Sequence, residues 1–154
     1  MAYEFDTDPE GGTYTIVIAT DLSPASSPAL AESLRLASAV RDPVLHFVHA
    51  EPAGTPKEKL AAIKEVMTRE LVDQAAELGL PVPKNRLIHV GAGAPKDVVL
   101  SLAHDANADL LVLGTRFASP AEREGHVSVS DDILHAAPCS VLVVNGRRAQ
   151  RRGA

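Results

Sequence analysis

The chain is poor in cysteine and aromatics. It has one cysteine, Cys139, no tryptophan, and only five aromatic residues in 154: Tyr3, Phe5, Tyr14, Phe47 and Phe117. A lone cysteine permits no internal disulfide and no cysteine-rich metal site, and it points to a reducing compartment. So few aromatics, so scattered, argue against a base-stacking single-strand binder. No apolar run approaches the roughly 20 residues of a membrane span. The first twelve residues are acidic and lack the apolar stretch of a secretory signal, so a cytoplasmic location is predicted. Two signatures are also missing: a Gly-Lys-Ser/Thr phosphate loop and a Gly-x-Ser-x-Gly elbow. The formal net charge of −5 argues against duplex nucleic acid as a partner.

That charge is unevenly placed. Residues 1–12 hold Glu4, Asp6, Asp8 and Glu10 with no base, and residues 146–154 hold Arg147, Arg148, Arg151 and Arg152 with no acid. Both ends read as solvated tails around a single domain at 13–145. The tails cancel, so the acidity belongs to the body of the chain. A body of this length supports one sizeable core.

Five short apolar, β-branched runs read as strands: Ile16 to Ala19, Val44 to Val48, Leu87 to Val90, Leu110 to Leu113 and Val141 to Val144. The last two are apolar without alternation, as parallel strands covered on both faces should be. Helical patterns separate the runs. Leu30, Leu34 and Ala37 follow the first, with a start either at Pro24 capped by Ser23 or at Pro28 capped by Ser27. Leu60, Ile63, Met67, Leu71 and Leu78 form the second stripe. Thr55-Pro56-Lys57-Glu58 reads as its capping box, with proline first in the helix, and Gly79 as its stop. Pro95 opens a third helix carrying Val98, Val99, Leu102 and Ala106. Ser128-Val129-Ser130-Asp131 resembles a second capping box, followed by Ile133 and Leu134 and ended by Pro138.

This alternation predicts an α/β fold with a doubly wound, five-stranded parallel sheet and helices on both faces. Ligands of such sheets bind beyond the carboxyl ends of the strands, where the strand order reverses. Asp21 stands there, after the first strand. It can accept hydrogen bonds from a ribose or an amine, or organise the turn into the helix. Ser128 opens a helix, where free backbone N–H groups favour an anion or simply need a cap. Thr115 to Val127 is a thirteen-residue linker. It exceeds the usual βα loop of about 2–6 residues and is a functional candidate.

The order and spacing of several segments resemble the universal stress protein family. Asp21-Leu22-Ser23-Pro24-Ala25-Ser26 is similar to its Asp-x-Ser-x-x-Ser opening. Gly91-Ala92-Gly93-Ala94-Pro95 resembles the turn before its third helix, and Ala108 to Arg116 its fourth strand and the turn after it. Ser128 to Asp131 and Leu134 to Val144 resemble its last helix and strand. The resemblance covers residues 13–145. It implies the strand order 3-2-1-4-5, a reversal between strands one and four, a homodimer paired through the last strand Val141 to Val144, and roles in stress survival and signalling rather than catalysis.

Some members bind ATP through Gly-x-x-Gly, nine residues, then Gly-Ser or Gly-Thr. Here Gly114 matches the first glycine, but Phe117 and Val127 stand where the other two should be, and Ser128 matches again. Glycine in such a loop lets backbone approach phosphate and adopt positive φ; valine at such φ is strained. Gly125 substitutes only if the loop shifts by two, and then His126 replaces the serine. Weak or absent ATP binding follows as the expectation, and no cofactor is expected. Should a nucleotide bind, it would meet Thr20, Asp21, Gly114, Arg116, Ser128 and Val129. Glu122 and Glu124 in the same loop also count against a polyphosphate.

Other signals favour structural roles. The six histidines include no i,i+4 pair, and His46 and His49 should face opposite sides of a strand, so no metal site is expected. His126 and Arg116 read as surface residues, and Cys139 as a partly buried structural thiol. No set of acid–base residues is evident, so the chain is expected not to be an enzyme. Two alternatives stand beside this expectation. One is an ATP-binding member with a remodelled phosphate loop; the other is a small α/β enzyme or cofactor carrier of similar topology.

Overall fold

The computed structural model describes residues 12–114 and 129–145. Among these residues five strands alternate with four α-helices: β1 (Tyr14–Ala19), α1 (Ser27–Ala39), β2 (Pro43–Glu51), α2 (Lys57–Leu78), β3 (Asn85–Ala92), α3 (Pro95–Asp105), β4 (Leu110–Gly114), α4 (Val129–Ala136) and β5 (Ser140–Val144). They form one parallel sheet in the order β3-β2-β1-β4-β5. The doubly wound sheet and its order agree with expectation. Each strand extends by one to four residues beyond its apolar run, because the backbone ladder continues where side chains turn polar.

Alternation along the strands splits the core in two. Ile16 and Ile18 of β1, with Leu45 and Phe47 of β2, pack under Leu30 and Leu34 of α1 and Met67 and Leu71 of α2. Val17, Val48, Leu111 and Leu113 point the other way, under Val99 and Leu102 of α3 and Ile133 of α4. Central strands are thus covered on both faces, which is why their sequences are apolar at successive positions. Leu134 is the exception to the expected apolar stripe of α4: next to the buried Ile133, it is 47 % exposed.

Helix starts depart from the expectations. Pro24–Ser26 forms a single 3-10 turn behind Ser23, and α1 proper begins at Ser27 with Ser26 in the cap position. Neither serine caps with its side chain, because both hydroxyls are turned to Asp21. The capping box before α2 does not form either. Pro56, not Thr55, is the N-cap, and the Thr55 hydroxyl donates to the Pro52 carbonyl at 2.6 Å. Gly79 does end α2, left-handed at φ 65°, its N–H returning to the Ala75 and Ala76 carbonyls.

Two ties hold the strand ends. The Thr15 N–H donates to Asp109 Oδ2 at 2.8 Å and the Asp109 N–H to the Thr15 carbonyl at 2.9 Å, joining the entry of β4 to β1. At the other end, the Gly93 N–H donates to the Glu51 carbonyl at 2.8 Å. Among the described residues no helix is long and apolar enough to cross a membrane.

Candidate functional site

The chain leaves β1 toward β2 and leaves β4 toward β5, so the strand order reverses between these neighbours, and the ligand cleft of such sheets lies at their carboxyl ends. Thr20 stands at one lip and Gly114 at the other. Thr20 is 8 % exposed and engaged at every polar atom. Its N–H donates to the Val48 carbonyl at 2.9 Å, its Oγ1 accepts from the Leu22 N–H at 3.0 Å, and its carbonyl meets His49 Nδ1 at 2.9 Å.

Asp21 follows, exposed. Its Oδ1 accepts from the Ser23 N–H at 2.9 Å, the Ser23 hydroxyl at 2.5 Å and the Ser26 hydroxyl at 2.6 Å. Ser26 Oγ in turn accepts from the Asp21 N–H at 3.3 Å. This is an Asx-type turn closed by two serines. It holds Leu22 in the left-handed region at φ 65°, a conformation a branched side chain adopts only under such constraint. Of the two roles open to Asp21, organising the turn is therefore visible in the geometry.

The end of β2 adds a wall that sequence reasoning missed. His49 is buried, with Nε2 3.8 Å from Glu51 Oε2, and Glu51 Oε1 lies 3.8 Å from Lys59 Nζ in the first turn of α2. A carbonyl only accepts, so the Thr20 contact requires the proton on His49 Nδ1. The signal available in sequence was position alone: His49 follows Val48, which pairs with Ala19, and so stands beside the β1 exit. Of the other expected site residues, Val129 begins α4. Arg116 and Ser128, the cap residue of the second capping box, lie outside the described residues, as do Phe117, Val127 and His126.

A second cluster lies away from the cleft. His46 and His89 face each other across β2 and β3, Nδ1 to Nε2 at 2.9 Å, with rings stacked 5.1 Å apart. Burial, reinforced by His89, lowers the His46 pKa to about 4; burial and nearby Lys64 lower that of His89. His89 also lines a groove of about 460 Å³ between α2 and α3, with Lys64, Asp105, Gly91 and Val98. Among the described residues no three His, Cys, Asp or Glu side chains are grouped to hold a metal ion. Cys139 is a free, half-buried thiol whose pKa is raised by burial and by the Asp109 carboxylate.

The universal stress protein family model matches residues 13–145. A universal stress protein of Methanothermobacter thermautotrophicus is 31 % identical over 105 residues, spanning 62 % of this chain and 68 % of that protein. The crystal structure of a universal stress protein in complex with cAMP superposes with a TM-score of 0.68 at 27 % identity, covering 88 % of this chain and 99 % of the other. A universal stress protein from Archaeoglobus fulgidus, solved in complex with dAMP, shares the fold at a TM-score of 0.63 and 21 % identity, over 86 % of this chain and 97 % of that one.

Proposed function

The chain belongs to the universal stress protein family, and on that footing we propose that it is a non-enzymatic stress-response or signalling protein that acts as a homodimer and holds ATP weakly or not at all. The observation that carries the ATP reading is the replacement of two of the three family glycines by Phe117 and Val127. The cleft geometry supports it. Asp21 Oδ1 already accepts three hydrogen bonds from its own turn, and its carboxylate stands exposed at the strand end. A polyphosphate entering this cleft meets negative charge. A non-catalytic role fits the same geometry, since the described side chains of the cleft are committed to holding the turn rather than converging on one reacting atom. The single free thiol fits a cytoplasmic setting. Titration calorimetry with Mg-ATP should give a dissociation constant above about 100 µM. Low-micromolar affinity would overturn the proposal.

The relative solved with cAMP favours a second reading, in which the cleft takes a nucleotide with one phosphate. Such a ligand needs the Thr20–Asp21 lip and the end of β4 but makes less demand on a glycine-lined phosphate loop. In that case cAMP or AMP binds at least about tenfold more tightly than ATP in the same calorimeter, a difference of one decade in dissociation constant.

A further inference from the structure

We propose that His49 is a positioning residue of the strand-end cleft: its ring holds the Thr20 carbonyl and thereby fixes the turn that carries Asp21. The effect on ligand binding rests on the single-phosphate reading above; the effect on the turn rests on the geometry alone.

The chain leaves the sheet at Ala19, and one more ladder bond, from the Thr20 N–H to the Val48 carbonyl, follows it. The next polar group, the Thr20 carbonyl, is met by the His49 ring at 2.9 Å. Both residues are 8 % exposed, so water competes poorly for this bond. A shielded carbonyl that loses its donor bears the full cost of desolvation. Everything beyond it depends on that peptide. Thr20 Oγ1 receives the Leu22 N–H, Leu22 sits at positive φ, and Asp21 collects the two serines. A turn held in a strained conformation persists only when its surroundings over-determine it. His49 supplies the anchor from a different strand, and Glu51, 3.8 Å from its far nitrogen, limits how the ring can turn. An aliphatic residue at 49 would fill the space and leave the carbonyl unmet. Asparagine would present an amide N–H close to where Nδ1–H stands.

The test uses the full chain. In the wild-type protein, long-range ¹H–¹⁵N NMR should show His49 protonated at Nδ1, with a slowly exchanging ring proton. In His49→Leu, solvent exchange at the Asp21, Leu22 and Ser23 amides should rise by about tenfold; in His49→Asn it should stay within about threefold of wild type. With cAMP as probe, His49→Leu should weaken binding by about tenfold and His49→Asn should restore it. A neutral ring with its proton on Nε2 and none on Nδ1 in the wild type, or turn exchange unchanged in His49→Leu, overturns the proposal. So does an equal loss of folding stability in both variants with no change at the turn, which is what a purely structural role predicts. If His49→Leu fails to fold, the wild-type tautomer and the asparagine variant decide. Wild-type protein that binds neither cAMP nor AMP overturns the single-phosphate reading, and the tautomer and exchange data then uphold or overturn the His49 assignment by themselves.

Discussion

At the scale of single residues, the buried member of the histidine pair has a consequence for stability. His46 is 0 % exposed, and its pKa falls from an ordinary 6.5 to about 4. The unfolded chain therefore binds a proton between those values that the folded chain refuses. The sign follows from linkage: the stability this site contributes is fully present above pH 6.5 and is lost as the pH falls toward about 4. A shift of this size corresponds to about 3 kcal/mol. Urea unfolding followed from pH 7 to pH 4 should show that loss, and His46→Gln should flatten the slope across the window. A variant with the wild-type slope would place the titration elsewhere. Nothing in the spacing of the six histidines announced this pair. His46 and His89 are 43 residues apart, and only the β2–β3 register brings them together.

At the scale of elements, most boundaries were legible, because apolar runs and turn residues act locally. Gly79 is the clearest case: an amphipathic stripe ends, and the residue after it must go left-handed. The helix starts were less legible. Ser23, Ser26 and Thr55 are all good capping types, yet each spends its hydroxyl elsewhere, on Asp21 or on Pro52. A cap is a competition between partners, and the winner depends on where the preceding loop runs. The β3–α3 junction shows a different constraint. A Cβ on Gly91 would stand 2.7 Å from Val98 Cγ1 and 3.3 Å from Cγ2. Valine in a helix has one strongly preferred rotamer, so it cannot swing aside freely. Gly91→Ala should lower unfolding free energy by about 1–3 kcal/mol. Adding Val98→Ala should recover part of that loss, so the double variant costs less than the two singles summed. Strict additivity would show that the two groups do not collide.

At the scale of the whole molecule, the sheet has two edges, and β5 is one of them. Among the described residues it pairs with β4 alone, and Val143 is 36 % exposed on it. Leu134, on the helix that precedes β5, is exposed as well. An apolar strand at a sheet edge is a template for a second copy. Light scattering at micromolar concentration should therefore give about twice the 16.2 kDa of one chain. Val143→Lys, the kind of residue that natural edges use to stay unpaired, should shift the mass toward the monomer. A wild-type monomer would contradict the proposed assembly.

The sequence by itself determined the architecture. Five apolar runs, four amphipathic stripes and the turn residues between them leave one economical arrangement, a parallel sheet covered on both faces. These signals are local, carried by neighbours a few positions apart. It also pointed to the strand ends, through Asp21 after β1 and Gly114, which closes β4. What only the tertiary structure decided is what the polar groups do there. Asp21 serves its own turn, Thr20 is bound at three atoms, and His49 reaches across from β2 to hold it. Those partners are set by strand register and by the path of a loop, and a hydrogen bond between residues 29 positions apart leaves no periodicity in the chain to be read.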